Sequence, residues 1–293
     1  MSWSAFYAWM DASSLVVIAI VLFAAMGVAA ALGAGLQLLG NRGQAATPKD
    51  GSDGQEAYVV SAVLGLLALL LGFTFTLAVE RFDARRHLVV EEANAIGTAY
   101  LRAQLLPEPH RSRTSDILVR YTDNRIRLAQ ANPGPEGQRY LATNDALLTD
   151  LWAATSAAYD EIKSLPASGV YLDSVNHLID LDASRKAARR ARVPSEVFAV
   201  LFVYLVTAAG VLGYVLRAMR GRLTAGFLLA LLTLSFLMVV DIDRPTMGAI
   251  NEDQRTMLDL QKSLAAQPPR VFDKWRTPTA ASAAEAPPAG EQP

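Results

Sequence analysis

The 293-residue sequence contains no cysteine. This absence excludes disulfide bonds, thiolate metal sites and a cysteine nucleophile, and it leaves the redox compartment undetermined. Histidine is scarce too: the chain has three, His87, His110 and His177, so a histidine-rich metal centre within one chain is not expected. Neither sign of charge dominates, since 27 Lys and Arg face 28 Asp and Glu and the formal net charge is -1. The balance excludes a strongly basic nucleic-acid-binding protein and an acidic disordered chain.

Common enzyme motifs are also missing. The sequence has no Walker loop, GxGxxG, HExxH, GxSxG or kinase motif. Glu91 and Glu92 are adjacent carboxylates, but no nucleophile or motif accompanies them. The sequence therefore does not predict an enzyme, and no cofactor is expected.

Long apolar runs are abundant. Hydrophobic residues make up 52% of the chain, and the mean hydropathy is +0.23. Four segments carry almost no formal charge and are long enough, at about 1.5 Å per residue, to cross the roughly 30 Å hydrocarbon core of a bilayer. We predict transmembrane helices at residues 15–39, 58–79, 195–216 and 223–240.

The segments outside these spans are distinguished by aromatic, proline and charge content. Residues 1–14 hold Trp3, Phe6, Tyr7 and Trp9 but no Lys or Arg, which is typical of a membrane-interface segment. Gly, Asn, Pro, Asp and Ser predict a loop at 40–57, and an Ala/Pro/Glu-rich composition predicts a disordered tail. The remaining boundaries are a charged middle domain at 80–194, a C-terminal cytosolic segment at 241–276 and the tail at 277–293.

The middle domain shows charged helical segments separated by proline-rich breaks and no sustained period-two alternation. It is therefore predicted to be a helical bundle. The predicted fold class is all-α: an integral membrane protein with four transmembrane helices and a cytosolic helical bundle inserted between the second and the third.

Basic residues near the span ends favour a cytoplasmic middle domain and cytoplasmic termini in the cell inner (plasma) membrane. The short link between the third and fourth spans argues the other way, because it places three arginines on the opposite side. The residues that favour the orientation are Arg81, Arg85, Arg86, Arg185, Lys186, Arg189, Arg190 and Arg192, against Arg42 and Lys49 in the first loop. The residues that oppose it are Arg217, Arg220 and Arg222.

The second span has two distinct faces. At 100° per residue, one face is lined by small side chains and its neighbour by bulkier apolar ones. The small face suits close helix packing, with the Leu/Phe face against lipid or a neighbouring helix. Alternatively, the Leu/Phe face lines a pore as a hydrophobic constriction. The small face comprises Ser61, Gly65, Ala68 and Gly72, and the Leu/Phe face comprises Ala62, Leu66, Leu69 and Phe73.

Polar residues gather at the expected membrane edges. Glu91, Asn94, Thr98 and Arg102 share one helical stripe that could contact permeating ions or a headgroup, or form a satisfied hydrogen-bond network. A second polar group follows the fourth span. It either forms Asp–Arg ion pairs with the middle domain or binds calcium. That second group is Asp241, Asp243 and Arg244, with Asp253 as a further calcium ligand. Its spacing is not an EF-hand. Two helical pairs, His87 with Glu91 and His177 with Asp180, are interpreted as surface contacts, so no metal site is predicted.

Two motifs carry a family resemblance. The run LGFTFTLAVERFDARRHLVVEEANAIGTAYLR and the later DIDRPTMGAI resemble the bestrophin-like integral membrane family of bacteria, a family of unknown function, and more distantly the bestrophins. The resemblance implies a pentameric anion channel with a hydrophobic neck at Gly65, Leu69 and Phe73. Gly65 departs from the bulky neck pattern, and the long acidic cluster of the bestrophin calcium clasp is missing after the fourth span.

The leading hypothesis is an oligomeric anion channel in the bilayer. Leu69 and Phe73 form its gate, and Thr74, Thr76, Asn94 and Thr98 are candidate polar lining. The alternative is a membrane-anchored sensor or scaffold whose cytosolic bundle binds a partner without conducting ions. Closure of a ring of subunits discriminates the two.

Overall fold

The computed structural model describes residues 3–41, 52–131, 134–216, 219–245, 248 and 250–275. Within these ranges all regular structure is helical and no strand occurs. The tail predicted at 277–293, together with Arg42, Lys49 and Arg217, lies outside the described residues. The helices are α1 (Trp3–Ala12), α2 (Leu15–Asn41), α3 (Ser52–Ala103), α4 (His110–Gln130), α5 (Pro135–Ile162), α6 (Ala167–Arg190), α7 (Ser195–Val215), α8 (Met219–Asp243), α9 (Arg255–Ala266) and a 3-10 turn (Pro269–Asp273).

Among the described residues, four helical stretches are long and apolar enough to cross a membrane, and each overlaps one of the four predicted spans. The stretches are Leu15–Leu39, Tyr58–Ala103, Ala167–Val215 and Arg220–Asp243. Helix α3 begins at Ser52, inside the segment predicted as a loop. The sequence after this serine contains Gln55, Glu56 and Ala57, which are good helix formers and extend the apolar helix backward. Residues 42–51 of the predicted loop are outside the described ranges.

The chain divides into two compact units: residues 1–87 with 185–253, and residues 88–184 with 254–293. In the first unit, α2 packs along α7, and α8 contacts both. Leu22, Leu67, Phe198 and Phe236 are fully buried in its apolar core. The helices approach closely where glycine is present. A Cβ on Gly33 would overlap the carbonyl group of Gly210, and one on Gly213 would overlap the carbonyl group of Ala30.

The second unit is a helical bundle. The part of α3 from Leu88 onward, α4, α5, the first part of α6 and α9 surround a core that includes Ile96, Leu118, Leu151 and Leu178. Gly97 faces α9, because a Cβ there would lie 3.5 Å from Leu260 Cδ1. That distance is an ordinary van der Waals contact, so α9 packs against this side of α3.

The C-terminal segment of the second unit is fastened to α3 and α4 by polar contacts. Arg111 pairs with both carboxylate oxygens of Asp273, at 2.6 and 2.8 Å. The Tyr100 hydroxyl donates to the Gln267 carbonyl oxygen at 2.8 Å, and the Gln261 amide donates to Asp123 at 2.6 Å. These contacts hold α9 and the 3-10 turn against the bundle.

Candidate pore face and polar cleft

The membrane half of α3 presents an apolar face that none of the described residues of its unit covers. Leu69 is 52% exposed and Phe73 is 62% exposed. At Gly65 no described atom lies within 4 Å of an added Cβ. Leu67 and Leu71, on another side of the same helix, are buried in the core. The structure thus separates the two gate candidates from the residues that hold α3 in place.

The two candidate threonines of α3 lie in different environments. The Thr74 side chain is 3% exposed and belongs to the buried side of the helix, whereas Thr76 is exposed. Each hydroxyl donates to the carbonyl oxygen four residues earlier, Thr74 to Leu70 at 2.7 Å and Thr76 to Gly72 at 3.1 Å. Both hydroxyls are therefore satisfied within the helix, and Thr76 is the one that shares the open face with Phe73.

The small-residue face of α3 is open as well. Ser61, Gly65, Ala68 and Gly72 are all exposed. As at Gly65, no described atom lies within 4 Å of a Cβ added to Gly72. Among the described residues no helix packs closely against Gly65 or Gly72, so the predicted packing seam stays a prediction for a helix from outside the described residues.

In the second unit, the predicted polar stripe of α3 lines a cleft of about 420 Å³. Arg102 is anchored there, since its guanidinium donates to the Val170 carbonyl oxygen at 2.8 Å. The structure brings the four predicted residues together with three polar residues of α6 that the sequence did not connect to them. The polar side chains are Glu91, Asn94, Thr98 and Arg102 from α3, and Asp173, Ser174 and His177 from α6.

A second polar group is buried inside the bundle. Arg125 donates to Glu92 at 3.1 Å and to Asp182 at 3.3 Å. The Asn144 amide donates to Asp182 at 2.9 Å, and the Tyr121 hydroxyl donates to Glu92 at 2.6 Å. These five side chains, the Glu92–Arg125–Asp182 network, are all buried and join α3, α4, α5 and α6.

Tyr121 acts as a donor in this network. Burial raises the pKa of its hydroxyl well above the usual value of 10.0, and the charge of Glu92 raises the pKa further. The phenol is therefore protonated at neutral pH. Burial disfavours the charge on Arg125, but the attraction of Glu92 and its other partners raises the pKa of Arg125 overall, so the guanidinium stays charged within the core.

The motif after the fourth span ties together parts of the first unit. Asp243 accepts a hydrogen bond from the Val193 backbone N–H at 2.9 Å, just before α7. Arg244 donates to the Met10 carbonyl oxygen at α1. Gly248 lies so near Asp241 that a Cβ would overlap the carboxylate. These contacts give all three residues structural roles.

Charged residues that precede and follow the spans also pair within this unit. Arg85 lies 3.3 Å from Glu252, and Arg185 lies 3.9 Å from the same carboxylate. Glu252 is thus an acidic partner for two arginines that flank the spans, and Asp243 also lies close enough to Arg85 and Arg192 to interact with their charges. Among the described residues, no group of three His, Asp or Glu side chains could hold a metal ion.

The helices and spans described above define an all-α, multi-pass membrane protein. Comparison with protein-family models then gives its family: the Bestrophin-like domain matches residues 27–251. The chain belongs to the bestrophin-like family.

Solved structures share the fold. Two single-substitution variants of a bacterial bestrophin homologue from Klebsiella pneumoniae each align with a TM-score of 0.61, at 16% and 17% identity, and cover 84% and 87% of this chain and 97% and 98% of their own. The homologue solved by Zn-SAD phasing aligns with a TM-score of 0.58 at 16% identity, covering 86% of this chain and 98% of its own. A search of curated proteins gave no match. At such identities the likeness shows the fold alone.

Proposed function

We propose that the protein assembles into a pentameric anion channel in the inner membrane, with the bundle in the cytoplasm and α3 lining the pore. The observation that carries this proposal is the open Leu/Phe face of α3. A bulky apolar face on the helix that also supplies a polar cleft suits a pore in which a hydrophobic constriction is followed by polar lining.

The helical period, applied to the sequence of α3, assigns the candidate lining residues to one side of that helix. At about 100° per residue, the gate candidates and the polar residues of the cleft fall within a sector of about 100°. Thr74 falls outside this sector. The residues inside it are Gly65, Leu69, Phe73, Thr76, Glu91, Asn94, Thr98 and Arg102.

Anions are the proposed cargo because three of the four polar α3 residues of the cleft carry hydrogen-bond donors, Glu91 being the exception. The Asn94 amide, the Thr98 hydroxyl and the Arg102 guanidinium are all able to donate to an anion. Leu69 and Phe73 offer no such donor and cannot replace the water molecules around an ion, so an ion can pass them only with its hydration shell. A ring of these side chains closes the pore by excluding water. Gly65 leaves space beside them, which limits the constriction to two residues per subunit.

The decisive experiment is anion flux into liposomes that contain purified protein. We compare the wild type with Phe73→Ala and with Leu69→Ala/Phe73→Ala. Removing the apolar barrier is expected to increase flux by about tenfold, which corresponds to about 1.4 kcal/mol of barrier height. Phe75→Ala is the matched control, because Phe75 is also exposed, at 37%, but lies outside the sector.

A specific increase in the Phe73 and double variants, with the Phe75 control unchanged, supports a pore at this face. If folded wild-type and neck-variant proteins leak no more than empty liposomes, conduction is rejected. The scaffold hypothesis then takes precedence, and the bundle becomes the surface on which to look for a partner. Mass measurement of the purified assembly tests the pentamer separately.

A further inference from the structure

A groove of about 300 Å³ lies between α2, α7 and α8 in the first unit. Most of its lining residues are alanine and glycine, so the groove is narrow and apolar. Its lining residues are Phe23, Gly27, Ala30, Ala31, Ala34, Leu212, Gly213, Leu216, Arg222, Ala225, Gly226 and Leu229.

The length of the groove along α2 is close to the thickness of one bilayer leaflet. On α2 its lining extends from Phe23 to Ala34, a rise of about 16 Å at 1.5 Å per residue. Half of the hydrocarbon core is about 15 Å thick. The groove is therefore about as long as the acyl chains of one leaflet extend into the bilayer.

The groove is open where a side chain would otherwise fill it. No described atom lies within 4 Å of a Cβ added to Gly27 or to Gly226. Its floor is closely packed, because Gly213 lies directly against the backbone of Ala30 and leaves no room for a Cβ. The groove is therefore bounded by closely packed backbone at Gly213, and it is open beside Gly27 and Gly226.

One charged residue stands among these apolar ones. Arg222 is exposed and lies near the beginning of α8, where the span meets the membrane surface. Its Nε donates to the Leu216 carbonyl oxygen at 3.3 Å. Within the described part of the chain, no carboxylate pairs with this guanidinium. Arg222 is also one of the three arginines, between the third and fourth predicted spans, that oppose the predicted orientation.

We propose that this groove binds an anionic phospholipid, with the lipid phosphate on Arg222 and one acyl chain along the small residues. Guanidinium groups bind phosphate through paired hydrogen bonds, and basic residues between transmembrane helices attract anionic headgroups. A larger crevice of about 780 Å³ between α2 and α7 lacks any charged lining residue, so Arg222 is what selects a charged lipid. This lipid site goes beyond the proposed channel and holds whether or not the protein conducts.

The test is native mass spectrometry of the detergent-purified protein titrated with phosphatidylglycerol, with phosphatidylcholine as the neutral comparison. Gly226→Leu and Ala31→Leu fill the groove from two different helices, and each should weaken retention of phosphatidylglycerol by about tenfold. Arg222→Gln should weaken it about fivefold, the effect expected for removing one basic residue at a membrane surface. Ala230→Leu enlarges an exposed alanine of α8 outside the groove and should retain lipid as the wild type does.

Each other outcome overturns the proposal. If the filling variants, folded by circular dichroism, retain phosphatidylglycerol like the wild type, the groove does not bind the chain. If Arg222→Gln alone reduces retention, the lipid contacts only the surface. Equal retention of phosphatidylcholine removes the role of charge. If the filling variants instead change the mass of the assembly and leave lipid retention intact, a second copy of the protein occupies the groove.

Discussion

Different interactions stabilise the interior of each of the two units. In the first unit the core between the spans is apolar, and its helices meet closely at Gly33 and Gly213. The buried pairs of Arg85 and Arg185 with Glu252 lie outside the predicted spans. The second unit encloses Arg125 with Glu92 and Asp182. Within a bilayer, lipid surrounds apolar side chains as well as protein does, so close packing of small residues holds helices together. In water, apolar burial drives assembly, and a buried charge must be paired.

The largest effect is expected from breaking the charge pairing in the second unit. Arg125→Met leaves two buried carboxylates without their shared cation, which should lower the free energy of unfolding by about 3–5 kcal/mol. Chemical denaturation of the purified protein, followed by circular dichroism, measures the change.

The matched comparison removes the whole set of charges. In Glu92→Leu/Arg125→Met/Asp182→Leu none of the three charges of the network remains, and much of the lost stability should return because an apolar replacement of a buried ion network is often neutral or stabilising. If the single and triple variants are equally unstable, the pairing of charges is not what the second unit depends on.

The corresponding change in the first unit acts through shape. Gly33→Ala places a Cβ against the Gly210 carbonyl group and should push α2 away from α7, at a cost of about 1–3 kcal/mol. Gly35→Ala is the control two residues away, because no described atom lies within 4 Å of that Cβ. The midpoint of thermal unfolding in detergent should fall for Gly33→Ala and stay or rise for Gly35→Ala, since alanine favours helix. Equal midpoints would refute close packing as the stabilising contact.

The same difference explains which features the sequence could predict. The four apolar stretches were recognisable because length and lack of charge are local properties, and the helix after the second span ends before Pro107 as proline predicts. Burial within the spans could not be predicted in the same way. Leu67 is buried and Leu69 is exposed, yet both are leucines in an apolar run, and a lipid-facing side and a packed side have the same composition.

In the second unit, the sequence identified the polar stripe but missed the network behind it. Glu91 lines the cleft, whereas Glu92 is fully buried against Tyr121 and Arg125. Adjacent glutamates on a helix point about 100° apart, and only the packing of α4 and α6 determines which one is enclosed. One local signal was available: Tyr121 and Arg125 are four residues apart, so their side chains share a face of α4 with the apolar Leu118.

The smallest expected effect distinguishes the two threonines of α3. Thr76→Val and Thr74→Val each remove a hydroxyl that bonds within its own helix, so neither should change the stability by more than about 0.6 kcal/mol. Only Thr76 shares the open face with Phe73, and replacing its hydroxyl by a methyl group makes that face more apolar. Anion flux should therefore fall about threefold in Thr76→Val, which corresponds to about 0.6 kcal/mol of barrier height, and stay unchanged in Thr74→Val. The same liposome assay measures both variants. A reduction in Thr74→Val with Thr76→Val unaffected would mean that the pore lies along a different side of α3 from the one proposed.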